Sequence, residues 1–311
     1  MELITGENDK NRRLDRILRK ALPDHPLSLI HKLLREKKVF INGKPAKAQD
    51  RVEFNAVITI PSLKDNHVKK IVKSNPKDVK KTSQPEILWE GLGLIAVNKP
   101  AGIAVHGADS LEEIVFFFLA DKLPPSVSFK PGPLHRLDKP SSGVVVFSAS
   151  LEGARLFSSL MRERKVRKTY LAVVEGIMKS EEIWQDALIR DHEKKKTFIK
   201  KDDQEGKLTQ TKTAITKVIP LAAEDGNTLI KAEISTGRTH QIRAQAAAHG
   251  YPLLGDIKYN SHGEINRGKI SNFFLHAWKL EFLEYMIEAP IDKTHPLIIK
   301  YLSKLGEKNE N

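Results

Sequence analysis

His135-Arg136-Leu137-Asp138-Lys139-Pro140-Ser141-Ser142-Gly143-Val144-Val145-Val146-Phe147 joins a polar, turn-rich segment to an unbroken apolar run. Pro and Gly punctuate the first part, and β-branched and aromatic residues fill the second, so the stretch reads as a loop entering a buried strand. Asp138 sits at the mouth of that strand, with Arg136 two residues before it. An acid in this place either caps a turn or does chemistry, and the rest of the chain has to decide.

Outward from this loop, Pro85 opens a large domain. Ile87-Leu88-Trp89 and Leu94-Ile95-Ala96-Val97 read as strands around Glu90-Gly91-Leu92-Gly93. Helical spacing appears over 111–120, 150–164 and 239–249, with Gly250 placed to cap the last. Strand-like runs occupy 166–175, 183–189, 209–218 and 228–235. Successive strands with few helices between them predict an α+β domain built on a mostly antiparallel mixed sheet.

The N-terminal part is different. Leu14, Ile17, Leu18 and Leu22, then Leu27, Ile30 and Leu34, predict two short helices separated by Pro23 and Pro26. Val39-Phe40-Ile41, the Asn42-Gly43 turn and Val57-Ile58-Thr59-Ile60 predict strands. Residues 10–51 hold 13 Lys/Arg against 4 Asp/Glu, which is most of the chain's net charge of +13. One sign of charge concentrated in one small unit points to a polyanion. The expected organisation is a small basic α/β unit over 10–62, a basic linker over 63–85 and a larger domain over 86–305.

Absences narrow the chemistry. The 311 residues include no cysteine, which excludes a disulfide scaffold, a thiol nucleophile and thiolate-bound metals, and fits a reducing, cytoplasmic setting. No apolar run approaches the roughly 20 residues of a membrane span. No His-x-x-x-His, Gly-Lys-Ser/Thr or Gly-x-Ser-x-Gly spacing occurs, so neither zinc, a phosphate loop nor a serine nucleophile is expected.

Four further segments carry polar groups at element ends. They are Asn98-Lys99-Pro100-Ala101-Gly102 with His106; Lys168-Thr169-Tyr170; Gly237-Arg238-Thr239-His240-Gln241-Ile242-Arg243 with Leu253-Leu254-Gly255-Asp256; and Leu275-His276-Ala277-Trp278. Singly each has an ordinary structural reading. Together, and in this order, they resemble the RluA-type RNA pseudouridine synthases over about residues 86–290. Arg13-Leu14-Asp15, Leu33-Leu34-Arg35 and Val39-Phe40-Ile41-Asn42-Gly43-Lys44 resemble an S4-type RNA-binding domain, a pairing similar to the subgroup that modifies large-subunit ribosomal RNA. This chain departs from its relatives at Pro140-Ser141, and at Asn55-Ala56, where the S4 family carries Gly-Asp.

The resemblance implies isomerisation of uridine to pseudouridine without cofactor or metal, by a monomer acting on RNA. It implies Asp138 as the catalytic carboxylate, Tyr170 as the surface on which the uracil stacks, and Arg243 as the charge partner of Asp138, with Arg238 second. Arg136 would fill the gap left in the RNA, and Leu254 would wall the uracil pocket. His135, Lys99, His106 and His240 would support the pocket or contact RNA. Arg12, Arg13, Arg16, Lys32, Arg35 and Lys38 would meet phosphates from the S4-type unit. Two other readings compete: a non-catalytic RNA-binding factor of ribosome assembly, and a synthase acting on transfer RNA.

Overall fold

The computed structural model describes residues 1–63, 84–191, 193–200, 211–259 and 273–302. Most of the expected linker, residues 64–83, lies outside the described residues.

The N-terminal unit starts with β1 (Glu2–Ile4) and continues through α1 (Leu14–Ala21), α2 (Leu27–Arg35), β2 (Phe40–Ile41), β3 (Lys44–Pro45) and β4 (Val57–Thr59). The strands form an antiparallel sheet in the order β1-β4-β2-β3. The apolar faces of both helices close onto it through Leu14, Ile17, Leu18, Ile30, Leu33 and Leu34. Asn55 takes a left-handed φ of 57° and makes the turn that leads into β4. The unit begins ahead of the expected residue 10, because β1 pairs with β4 across more than 50 residues.

Between β1 and α1 the chain reaches the larger domain. Asp9 is fully buried and accepts from the Ser126 and Ser128 hydroxyls and the Val127 and Ser128 amides. Burial raises the cost of its charge, but these donors outweigh it and hold its carboxyl below the usual range. Arg12 adds a bond to the Ser128 hydroxyl at 2.7 Å, and the Asn8 side chain accepts from the Leu151 amide.

The larger domain runs β5 (Glu86–Gly91), β6 (Leu94–Lys99), α3 (Leu111–Ala120), β7 (Gly132–Pro133), β8 (Ser142–Ser148) and α4 (Leu151–Arg162). It continues with β9 (Arg167–Glu175), β10 (Glu182–Asp191), β11 (Lys196–Ile199), β12 (Lys212–Glu224) and β13 (Asn227–Ile234). It ends with α5 (Gln241–Ala248), β14 (Leu275–Phe282) and β15 (Tyr285–Glu288). The eleven-stranded sheet has the order β11-β10-β12-β13-β9-β14-β8-β6-β5, with β15 on β14 and β7 on β8. Among the described pairings in this sheet, only β8–β14 is parallel. The expected α+β architecture with a mostly antiparallel mixed sheet is therefore present.

Side-chain alternation divides the sheet into two faces. On β9, Tyr170, Ala172 and Val174 join the core that α3 and α5 cover. Leu171 and Val173 point the other way, toward Phe274, Leu297 and Ile298. The Ser150 hydroxyl caps α4 by accepting from the Gly153 amide at 3.0 Å.

The parallel seam positions the loop quoted above. Gly143 pairs with Ala277 and has a φ of +108°. A Cβ there would come within 2.2 Å of the Ala277 carbonyl oxygen, so backbone meets backbone where a side chain has no room. Gly143→Ala is expected to destabilise the fold by about 3 kcal/mol or more, from a strained φ plus displacement of β14. Chemical denaturation measures this, and a change below about 0.5 kcal/mol, the usual size of surface substitutions, would contradict the packing described.

Candidate active site

Asp138 lies in the loop between β7 and β8. The Ser141 amide donates to the Asp138 carbonyl at 3.1 Å, closing a turn around Lys139-Pro140. Lys99, at the end of β6, ties this loop from below. Its Nζ donates to the carbonyls of Pro100 (2.9 Å), Lys139 (3.2 Å) and Ser141 (2.5 Å). Burial pushes its ammonium down to about 8 while Asp138 pulls the other way. Three acceptors use all three ammonium protons, so the loop is fully tied while Lys99 is charged. Lys99 is thus a fastener of the pocket and has no surface to offer a phosphate. Lys99→Met leaves three carbonyls without this donor, and is expected to lower stability by about 2–4 kcal/mol and to reduce turnover. Thermal melting and steady-state kinetics check this; an unshifted melting point would contradict it.

The Asp138 side chain meets α5. Arg243 Nη1 donates to its Oδ2 at 2.9 Å, and the same guanidinium donates through Nε and Nη2 to Asp256 at 2.7 and 2.9 Å. Arg243 is nine-tenths buried and Asp256 is almost completely so. Tyr259 and Phe273 face the guanidinium at 5.0 and 4.6 Å. Burial alone would disfavour the Arg243 charge; the bonds to Asp256 and Asp138 outweigh it and hold the proton more tightly than usual. The bidentate grip of Asp256 fixes the plane of the guanidinium, and that plane sets where Asp138 stands.

His240 Nε2 lies 3.7 Å from Asp138 Oδ1, and its Nδ1 meets the Tyr259 hydroxyl at 2.8 Å. Burial lowers its pKa to about 4 against the pull of Asp138. It caps α5 with a left-handed φ of 54°, which shortens the helix expected from residue 239. Tyr170 faces the same cleft from β9, its phenol pushed up by burial and then by the nearby Asp138. The cleft is open to solvent and is lined by Asp138, Tyr170, Ile234, Leu275, Arg136 and Arg243, among others. A carboxyl group, a flat ring and apolar walls thus converge on an open space.

The other expected residues divide. Arg136 is exposed at the cleft rim. Arg238 also lines the cleft, but its Nε donates to the Thr213 carbonyl, so Arg243 alone of the two pairs with Asp138. His135 Nε2 accepts the Val146 amide at 3.1 Å. Burial and the neighbouring Lys168 hold His135 down to about 3, so it is a neutral brace of β8. His106 pairs with Glu112 at 3.0 Å and does not line this cleft. Leu254 does not wall the pocket: it packs behind the sheet with Leu171 and Val173, while Leu253 takes the cleft-side core. Its place in the pocket is filled by Ile234 and Leu275.

In the N-terminal unit, Arg13, Arg16, Lys32, Arg35 and Lys38 are exposed, with Arg13 paired to Asp15 and Lys32 and Lys38 to Glu36. Arg12 is the exception, since it points into the seam with Ser128. The sequence reading did not single out Asp256, Tyr259 or Asp9. Asp256 closed a quoted motif, yet its role depends on a contact with α5 that no local pattern reports. Among the described residues no cluster of His, Asp and Glu forms a metal site, and no helix is long and apolar enough to cross a membrane.

Known proteins share this arrangement of parts. The family model described as RNA pseudouridylate synthase matches residues 93–248, and the S4 domain model matches residues 12–58. Ribosomal large subunit pseudouridine synthase C of Buchnera aphidicola subsp. Schizaphis graminum (strain Sg) is 31% identical over 301 residues, covering 93% of each chain. The protein of the same description from Pasteurella multocida (strain Pm70) is 29% identical over 319 residues, covering 99% of this chain and 95% of that one. Human RNA Pseudouridylate Synthase Domain Containing 4 shares the fold, with a TM-score of 0.57 and 22% identity over 71% of this chain and 93% of that one. The family model and relatives matched over most of the chain agree with the fold: this chain belongs to the RNA pseudouridylate synthase family, with an S4 domain at its N-terminus.

Proposed function

We propose that this protein converts uridine to pseudouridine in large-subunit ribosomal RNA, with Asp138 as the catalytic carboxylate. The observation that carries the reading is the Asp138–Arg243–Asp256 chain of charge-assisted bonds beside Tyr170. The large-subunit substrate is supported by the descriptions of the relatives and by the S4 domain.

The reaction breaks the N1–C1′ bond, turns the base and joins C5 to C1′; C5 loses a proton and N1 gains one. No group donor is needed. The base leaves its stack at a cost of a few kcal/mol. Stacking on an aromatic face such as Tyr170 returns about 1–3 kcal/mol. Asp138 then either adds to C1′ or removes the C2′ proton, and both routes need it ionised and fixed. Arg243 supplies the fixed positive charge. Arg136, exposed at the rim, suits the space the uracil vacates in the RNA.

In this reading, the N-terminal unit through residue 62, β1 included, docks the RNA and 86–305 forms the catalytic domain, joined by the basic stretch 63–85. In the same reading the chain acts as a monomer and works in the cytoplasm, where ribosomal RNA is found. Pseudouridine mapping in a strain lacking the gene tests the substrate. Loss of at least one pseudouridine from large-subunit RNA is expected; loss confined to transfer RNA would overturn the ribosomal assignment.

A further inference from the structure

Lys168 precedes Tyr170 by two residues on β9, so the two side chains emerge on one face, about 6.6 Å apart along the strand. Lys168 is only 8% exposed, and no hydrogen bond or neighbouring charge among the described residues offsets the effect of burial on its ammonium. Burial alone pushes it down to about 8. The stem is buried and the ammonium opens on the cleft, where it is free to take an anion. Neither route through Asp138 uses it.

Its surroundings say where the anion would lie. Lys168 borders the part of the cleft that holds Asp138, Tyr170 and Arg238, and also an outer extension shared with Arg162 and Arg164 at the end of α4. Asp138 and Tyr170 do not reach that extension. Opposite Lys168 stands Gly237, where an added Cβ would be 3.6 Å from Nζ, so that wall carries no side chain. The cation therefore stands at the junction between the pocket and a basic outward track.

We propose that Lys168 binds a backbone phosphate flanking the target uridine, with Arg238, Arg162 and Arg164 continuing the track. This rests on the synthase reading above. One phosphate oxygen would accept from Nζ and locate the sugar while the base rests on Tyr170.

The test uses the full chain and [5-³H]uridine-labelled large-subunit ribosomal RNA. Lys168→Met should raise KM about 10- to 100-fold, the range for one charge-assisted hydrogen bond, with kcat within a factor of about two. Filter binding of the same RNA should show a salt slope smaller by about 0.7–0.9, the share of one phosphate. Lys168→Arg should restore most of the loss. Should Lys168→Met fold poorly, Gly237→Asp sets a carboxylate beside Nζ and should give the same rise in KM. An unchanged KM and slope in an active, folded variant would overturn the inference while leaving the synthase reading intact. A fall in kcat at constant KM would also overturn it, since it would put the charge on the departing uracil. Absence of tritium release by the unmodified chain would count against the synthase reading instead, and the binding slope would still decide the role of Lys168.

Discussion

Asp138→Asn is expected to abolish turnover, with kcat lowered by roughly 10⁴–10⁶-fold, the range seen when one member of a catalytic unit is removed. Asparagine keeps the size of the side chain and can still accept from Arg243 Nη1. What it loses is the negative charge, which both routes at C1′ or C2′ require. The fold should persist, because Arg243 retains its two bonds to Asp256. RNA affinity should stay within about threefold, since Asp138 adds no attraction for phosphate. Kinetics, melting and filter binding on one preparation separate these effects. Comparable loss of binding and turnover would instead mark Asp138 as a structural residue of the loop.

Arg243→Met should be the second most damaging change, and for a different reason. It leaves Asp138 and the buried Asp256 without their shared positive charge. Breaking a buried ion pair from one side costs about 3–5 kcal/mol. For a domain of this size that corresponds to a melting point lower by about 6–20 °C. Turnover should collapse as well, because the carboxylate loses the group that fixes it. Arg243→Lys should recover part of the stability and little of the turnover, since a point ammonium cannot hold one carboxylate bidentately and reach a second. Full activity in Arg243→Lys would contradict a positioning role for the planar guanidinium.

The parts of this molecule that sequence made legible are those governed by local physics. The apolar periodicity of 111–120 and 150–164 matches α3 and α4 to within about two residues. The run Val144–Phe147 is wholly buried in β8, as a continuous apolar strand should be. The parts that were hidden depend on distant partners. β1 is three residues long and exists because β4 is there to pair with it. Leu253 and Leu254 are chemically identical neighbours, and only the sheet's two faces decide which one looks toward the cleft. His135 sits in the motif that decides the fold, yet Val146 claims its ring nitrogen. Lys99 fastens the Asp138 loop because three carbonyls converge on it, two of them about forty residues away, which no local pattern reports.

The same contrast holds for the site. Asp138, Tyr170 and Arg243 were visible through the motifs that carry them, and the structure brings all three to one cleft. Asp256 gained meaning only once α5 turned Arg243 toward it. Arg12, one of many basic residues in a basic segment, is set apart by a single hydroxyl from the other domain.

Tritium release from [5-³H]uridine-labelled large-subunit ribosomal RNA by the unmodified chain tests the central claim most directly. Isomerisation at C5 must discharge that hydrogen, so the account predicts release over many turnovers without added cofactor, and none from the Asp138→Asn protein. Release that survives the Asp138→Asn substitution, or no release by the unmodified chain from ribosomal or transfer RNA, would contradict it.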